Sequence, residues 1–191
     1  EYRMRHRNGR YVWIKEDASI IKGEDGSPLF WQGILLDITE QKWAEEALKY
    51  RDTILKTVGY SAEQFLKTSD WKISIENILS QLGKATGVSR VYIFERDVNR
   101  TGEPVVSQIY EWCNSGITSQ IDNQELQNIN LKECGYTRWV DFFDNDKPVL
   151  GNVKDFPFEE QQHLLSQGVN SLMCIPIMVG SNWWGFIGFD E

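Results

Sequence analysis

Histidine and cysteine, on which most nucleophilic and metal-dependent sites depend, are scarce in this sequence of 191 residues, with two and three copies. Nucleophilic catalysis by Ser or Cys needs a positioned base, usually His. His6 lies in a basic segment and His163 lies between Gln162 and Leu164, and neither context suggests a base. The three cysteines lack C-x-x-C spacing, so neither a disulfide framework nor a zinc site is predicted. The sequence therefore predicts no catalytic residue, no metal site, and free thiols in a reducing cytoplasm.

Long apolar runs are also missing. No stretch approaches the roughly 20 apolar residues that span a membrane, and residues 1–7 lack the apolar centre of a signal peptide. We therefore expect no direct membrane contact. Because no initiator Met is present, we expect the sequence to begin inside a longer protein.

A basic excess is absent as well. The first sixty residues carry ten basic and ten acidic side chains, so the whole net charge of −8 comes from residues 61–191. Nucleic-acid binding depends on Lys and Arg neutralising phosphates, and an acidic domain without a basic stripe argues against it. The change in charge predicts a domain boundary near residue 60.

The first forty residues have the pattern of three antiparallel strands. Alternating residues at 2–7 are followed by Asn8-Gly9, a two-residue hairpin turn. Strands are predicted at 11–21 and 29–36, separated by a turn at 24–28 that contains Asp-Gly and Pro. Three strands with apolar faces do not bury those faces alone, so we expect further covering structure.

A helix is predicted from 39 to 58, with a capping box formed by Asp37 and Glu40 and with Thr39 as a competing cap. Two neighbouring apolar stripes run along it, about two heptads long. They favour pairing with a second copy in a parallel dimer, the alternative being packing on the same domain. The stripe residues that we assign to this dimer helix are Trp43, Ala47, Leu48, Tyr50, Ile54 and Leu55.

The remaining residues alternate between helical and strand patterns. Gly59 is predicted to interrupt the first helix, and Ser69-Asp70 to cap a second one that runs through 75–85 and ends near Gly87. Strands are predicted at 88–94, 105–113 and 148–150, a helix at 157–167, and a final hairpin at 171–189. Without regular βαβ alternation, this order indicates a mainly antiparallel sheet covered by helices.

Residues 1–40 resemble the C-terminal part of a PAS domain. The resemblance rests on the hairpin at 7–14, the strand ending at 33–36, and the exit motif Asp37-Ile38-Thr39-Glu40. In that family the exit motif marks the point where the last strand leads into a helix that transmits the signal to the next domain. The resemblance implies that the first half of a PAS domain precedes this sequence.

Residues 61–191 resemble GAF domains of bacterial multi-domain sensor histidine kinases and diguanylate cyclases. The matching stretches are 110–117, 120–123, 165–177 and 184–190. The resemblance implies an α+β fold in α/β/α layers, in which helices flank a mainly antiparallel six-stranded sheet. It also implies a pocket between the sheet and residues 114–168, and a further helix after Glu191. We therefore expect PAS strands at 1–38, a linker helix at 39–60 and a C-terminally truncated GAF domain at 61–191.

The ligand of the expected pocket is not identified by the resemblance. GAF domains that hold a linear tetrapyrrole covalently do so through a Cys, and the corresponding stretch 158–163 contains none. Domains that bind cyclic nucleotides carry an Asn-Lys pair, which is missing, although Asp190 and Glu191 match a later part of that signature. The sequence therefore argues against a covalent bilin and against a cyclic nucleotide.

Aromatic residues accumulate along the expected pocket, where they would offer stacking surface to a ligand, although aromatic side chains are also ordinary core material. The candidate ligand-binding residues are Trp112, Cys113, Tyr136, Trp139, Phe143, Phe156, His163 and Cys174.

These observations predict a non-catalytic sensory segment of a signal-transduction protein, most simply a sensor histidine kinase. The GAF pocket would bind a small molecule, and the helix would relay the signal to an output domain within a homodimer. A ligand-free dimerisation spacer in a kinase or diguanylate cyclase is the alternative. A redox enzyme using Cys113 and Cys134 is a third reading, for which the spacing of these residues gives no support.

Overall fold

The computed structural model describes residues 1–67, 72, 74–100 and 102–191, with the backbone alone at Phe65. The chain forms two compact units, Glu1–Thr53 and Ile54–Glu191. Among the described residues, no helix is both long and apolar enough to cross a membrane.

The first unit contains an antiparallel sheet of three strands, β1 (Tyr2–Arg5), β2 (Tyr11–Lys22) and β3 (Pro28–Asp37), in that spatial order. Gly9 and Gly26 adopt φ angles of 90° and 80° in the two turns, as the predicted hairpins require. Consecutive apolar residues of β3 are exposed, Trp31 by 71% and Ile34 by 63%. The described residues therefore leave apolar side chains of this sheet uncovered.

Helix α1 (Thr39–Lys67) follows β3 directly. Asp37 Oδ1 accepts a hydrogen bond of 2.9 Å from the Thr39 backbone N–H, which caps the first turn. The prediction that the helix stops at Gly59 is wrong, because α1 continues to Lys67. A single helical glycine costs only about 1 kcal/mol relative to alanine, and the strong helix formers around it offset this. Ser61, which was predicted to lie outside the helix, donates its hydroxyl to the Thr57 carbonyl within it.

The second unit contains one antiparallel sheet with the strand order β5-β4-β8-β7-β6. The strands are β4 (Arg90–Val98), β5 (Pro104–Cys113), β6 (Val149–Asn152), β7 (Ser171–Val179) and β8 (Asn182–Asp190). The fold is α+β, but the described residues form five strands here rather than the expected six. Beside β5, residues 126–131 contribute only an isolated bridge between Val106 and Ile129, so no further strand is completed at that edge.

Helices cover both faces of this sheet. Helix α2 (Ile75–Thr86) packs on one face. It ends at Gly87, which forms the predicted C-terminal cap in the left-handed conformation, with a φ of 75°. The predicted N-cap at residues 69 and 70 lies outside the described residues. Helices α3 (Thr137–Phe143) and α4 (Phe158–Ser166) cover the other face, together with short 3₁₀ turns at Gln124–Leu126 and Val153–Asp155.

Candidate functional site

Strand alternation divides the side chains of β4 between the two faces of the sheet. Val91 and Ile93 pack into the cluster beneath α2, whereas Tyr92 and Phe94 face α3 and α4. Arg90 points to the same side as Tyr92 and Phe94. Strand β4 therefore supplies one cationic and two aromatic side chains to the face beneath the loops.

A β-bulge selects the polar residues that β5 adds to this face. Ile93 pairs with Tyr110 but Phe94 pairs with Gln108, so Ile109 is an extra residue in β5. Without the bulge, residues 108 and 111 would point to opposite faces, because side chains alternate with a period of two. With it, Gln108 and Glu111 both face the cavity described next.

The face borders a partly open cavity of about 70 Å³. Its floor is formed by β4, β5 and β8, and its cover by the loop at 120–131, α3 and the end of α4. Since about 10–15 Å³ suffices for one water molecule, the cavity has room for several waters or a small organic molecule. The side chains that cover it are Gln120, Leu126, Ile129, Leu131, Tyr136, Trp139, Leu164 and Val169.

An ion pair closes one end of the cavity. Arg90 and Asp190 are direct cross-strand partners in β4 and β8, and Arg90 Nε lies 3.1 and 3.2 Å from the two carboxylate oxygens. Arg90 Nη2 also donates to the Gln167 carbonyl at 3.0 Å. Both side chains are almost fully buried. Burial raises the pKa of Asp190, and the adjacent guanidinium opposes that rise.

Glu111 fastens the covering loop to the sheet. Its Oε2 accepts hydrogen bonds from the Ser119 hydroxyl at 2.5 Å and from the Gln120 backbone N–H at 2.8 Å. Gln120 in turn accepts from the Asn123 side chain at 2.9 Å. The carboxylate is therefore held by neutral donors at the rim of the cavity.

In the cavity wall, the side chain of Gln108 carries a buried donor that lacks a partner among the described residues. It is 4% exposed, and its Nε2 is a buried donor without a hydrogen-bond acceptor among the described residues. A buried unpaired donor costs about 1–3 kcal/mol. The backbone carbonyl of Gln108 accepts from Gln127 Nε2 at 3.0 Å.

The aromatic part of the cover is held by a buried carboxylate. Glu160 of α4 is 1% exposed and accepts from Trp139 Nε1 at 2.9 Å and from Arg138 Nη2 at 2.6 Å. Tyr136 packs edge-on against Trp139, with ring centroids 5.0 Å apart. Burial raises the pKa of Tyr136 far above its usual value, so this residue stays a neutral phenol at the cavity wall.

Two of the eight residues predicted from the sequence, Tyr136 and Trp139, line the cavity. Three more, Phe143, Phe156 and Cys174, lie in the same buried cluster but behind the wall. These three are core side chains in the structure.

The other three predicted residues lie elsewhere. Trp112 packs on Gly83 of α2, on the opposite face of the sheet. Cys113 is half-buried in the last position of β5. Its pKa is raised to about 11, mainly by burial and to a smaller extent by the nearby Glu111 carboxylate. His163 is exposed, with its ring 6.1 Å from that of Tyr136.

The polar residues of the cavity were not predicted. Arg90, Gln108, Glu111 and Asp190 are each placed by strand register, and only their position as polar residues within apolar strands marks them in the sequence. No group of three or more metal-ligating side chains exists among the described residues.

Family comparison assigns both parts of the chain. The sequence model of the GAF domain matches residues 72–191, and that of the PAS fold matches residues 1–35. These matches agree with the resemblances read from the sequence.

Two curated relatives are similar to this chain. The methanogenesis regulatory histidine kinase FilI of Methanothrix harundinacea is 37% identical over 83% of the chain. The methyl sulfide methyltransferase-associated sensor of Methanosarcina acetivorans is 25% identical over 91%. The chain spans only 18% and 16% of their lengths. Both relatives are archaeal, so they give no support to the expected bacterial origin.

Solved structures with low sequence identity share the fold. One is the far-red absorbing dark state of JSC1_58120g3 with bound biliverdin IXα, with a TM-score of 0.56 and 14% identity over 71% of this chain and 82% of that one. Another is the GAF domain of the cyanobacteriochrome TePixJ, with a TM-score of 0.50 and 12% identity over 65% and 74%. At such identities the likeness shows the fold alone.

Proposed function

The chain belongs to the GAF domain family, and from that premise we propose that it is the sensory segment of a signal-transduction protein. In this proposal the GAF domain binds a small molecule in the cavity, and α1 links this event to neighbouring domains. The observation that carries the proposal is the cavity of about 70 Å³, which is lined by apolar side chains and a few converging polar groups.

The similarity to FilI supports a histidine kinase as the parent protein. That relative carries the name of a regulatory histidine kinase, and the second relative that of a sensor. The two histidines of the chain belong to different units, one beside β1 and one exposed on α4. We assign no catalytic step to the chain itself, and place kinase chemistry in another part of the parent. The three free cysteines agree with a cytoplasmic location.

A ligand-free spacer is the competing function. It would require the space around Trp139 and Phe143 to be filled. Phe143 is fully buried, but the cavity lies beside Trp139 and contains an unpaired donor. These features favour the binding function over the spacer.

The exposed side of α1 supports a dimer. Trp43, Leu48, Tyr50 and Leu55 are each more than half exposed, so the described residues leave both apolar stripes without cover. In a parallel homodimer these stripes would pack together, and their offset by one residue would permit two alternative registers. A switch of this type needs two packings that differ by only a few kcal/mol.

Native mass spectrometry of the 191-residue chain tests both parts of the proposal. We expect a dimer that carries the mass of a bound small molecule. Ile129→Trp, a substitution of a half-buried lining residue, should remove the extra mass because the larger ring fills the cavity. Leu150→Trp, on an exposed position of β6, is the matched control. Wild-type protein without any added mass would contradict ligand binding, and a monomer would contradict the dimer.

A further inference from the structure

The unpaired amide of Gln108 identifies the kind of atom that the cavity is built to receive. Nearly all buried polar groups in native proteins are hydrogen-bonded. The Gln108 side chain lines the cavity, and its buried Nε2 has no acceptor among the described residues. The complementary group is an acceptor oxygen or nitrogen. A primary ammonium offers donors only and does not satisfy it.

The charges around the cavity disfavour an anion. Three charged groups line it, Arg90, Asp190 and Glu111. Arg90 is already paired with Asp190 at 3.1 Å. Glu111 accepts from Ser119 and Gln120 and also bonds to the Cys113 thiol, and all three groups are neutral. Among the described residues, no cationic side chain pairs with its carboxylate. A buried anion would meet this carboxylate without a free cation to offset the cost of its desolvation.

Most of the remaining wall is apolar. It includes Phe94, Val106, Leu126, Ile129 and Phe186. Pockets that enclose drug-sized ligands measure about 300–1,000 Å³, so a cavity of about 70 Å³ accepts only a much smaller molecule. A tetrapyrrole therefore does not match it.

We infer that the cavity binds an uncharged, mainly apolar molecule of a few non-hydrogen atoms whose acceptor oxygen bonds to Gln108 Nε2. This inference rests on the proposed function and names its ligand class. Small amides, ketones and esters belong to the class, whereas carboxylates and amines do not.

Four probes with equal numbers of non-hydrogen atoms separate these chemistries: propionamide, 2-butanone, propionate and n-butylammonium. Each is titrated into the ¹⁵N- and methyl-labelled 191-residue chain by NMR. The side-chain amide resonance of Gln108 is identified by its loss in Gln108→Leu. We expect propionamide and 2-butanone to shift this resonance saturably, and propionate and n-butylammonium to bind at least about tenfold more weakly.

Gln108→Leu should weaken the binding of propionamide and 2-butanone about tenfold, because the variant loses one hydrogen bond to the ligand. The same variant should be at least as stable as the wild type without ligand, because it removes a buried unpaired donor. Gln162→Leu, on an exposed position of α4, makes the same chemical change away from the cavity and should alter neither property.

Tighter binding of propionate than of propionamide, or unchanged ketone binding in Gln108→Leu, would overturn the inference. Probes that shift the methyl resonances of Ile129 and Leu131 but not the Gln108 amide would also refute it, while leaving ligand binding in the cavity intact. If none of the four probes shifts a cavity resonance, the inference is wrong. The co-purified mass then decides independently whether the proposed function stands.

Discussion

Trp139 Nε1 donates a hydrogen bond of 2.9 Å to Glu160 Oε2, and this contact joins α3 to α4 over the cavity. Arg138, the residue before Trp139, adds hydrogen bonds of 3.0 and 2.6 Å to the same carboxylate. Three donors thus surround a carboxylate that is 1% exposed. Because Trp139 lines the cavity, this buried group positions part of the candidate binding site.

Glu160→Gln should destabilise the second unit by about 2–4 kcal/mol. The amide that replaces the carboxylate presents N–H groups to Arg138 or Trp139, so at least one buried donor loses its acceptor. Urea unfolding, monitored by tryptophan fluorescence, measures the change in the free energy of unfolding.

Glu159→Gln is the matched control for that prediction. Glu159 is the preceding residue, lies exposed in the first turn of α4 and loses the same charge on substitution. Its effect should stay below about 1 kcal/mol, since only the interaction with the helix dipole changes. Equal destabilisation by the two variants would mean that the buried hydrogen bonds contribute nothing specific.

Gly83→Ala should destabilise the second unit by about 1–3 kcal/mol, although alanine is the better helix former. A Cβ atom at Gly83 would lie 2.0 Å from Trp112 Cζ3, so α2 would have to move away from the sheet. Gly59→Ala in α1 is the opposite case, because beyond its chain neighbours and its own helix backbone no described atom lies within 4 Å of its Cβ position. There the gain in helix propensity should stabilise by up to about 1 kcal/mol. Urea denaturation of both variants checks the two signs, and stabilisation by Gly83→Ala would contradict the close packing.

The hydroxyl of Thr39 connects the start of α1 to β2. Thr39 Oγ1 accepts from the Trp13 backbone N–H at 2.8 Å, and Thr39 is buried. Thr39→Val keeps the shape but removes the acceptor, so the Trp13 amide should exchange with solvent about tenfold faster. Thr39→Ser keeps the hydroxyl and should preserve most of the protection. Hydrogen exchange of the Trp13 amide measures this directly, and unchanged protection in Thr39→Val would refute the link.

The stability of the second unit should fall at alkaline pH, in part because of Cys174. Burial raises the pKa of this fully buried thiol from 9.0 to about 12, against a smaller opposing hydrogen bond from Tyr92. The folded state therefore holds a proton that the unfolded state releases. The thiol's contribution is complete below about pH 9 and is lost as pH rises towards about 12.

Cys174→Ala removes this titration. Between about pH 8 and pH 10.5, its free energy of unfolding should decrease by about 2 kcal/mol less than that of the wild type. Cys134→Ala, at an exposed thiol, should follow the wild-type profile. An identical slope for all three proteins would indicate that Cys174 ionises normally in the folded state.

Local sequence patterns were sufficient to predict individual turns and helices. Three such predictions agree with the structure: the turn at Asn8-Gly9, the helix end at Gly87 and the helix indicated by the apolar spacing of 75–85. Each of these patterns favours a single local structure. The break expected at Gly59 failed because the preference of a single residue is smaller than the summed preference of its neighbours.

The binding site was predictable only in part. The aromatic cover, Tyr136 and Trp139, was identified through composition and resemblance. Gln108 and Glu111 were missed, because their common face depends on a bulge at Ile109 that alternation does not reveal. Trp112 was misplaced for a related reason, since neither its face nor its packing on Gly83 can be read from residue type. Long-range register therefore determines the polar part of the site.

Engineered cysteines on α1 test the proposed dimer and its two registers. The variants Ala47→Cys and Leu48→Cys each place a thiol on one of the two exposed apolar stripes. The background should carry Cys113→Ser and Cys134→Ser, because these two native thiols are not fully buried. Lys49→Cys, on the side of the helix away from both stripes, is the control.

In a parallel dimer, a residue at the seam lies opposite its own copy, so oxidation should join at least one of the two stripe variants and leave Lys49→Cys monomeric on a non-reducing gel. A change in the ratio of the Ala47 and Leu48 products when a cavity ligand is added would identify the helix as the relay, because the two stripes are offset by one residue. If neither stripe variant forms a disulfide, or if Lys49→Cys forms one equally well, α1 is not a parallel dimer seam. The apolar stripes would then have to be covered by another part of the parent protein.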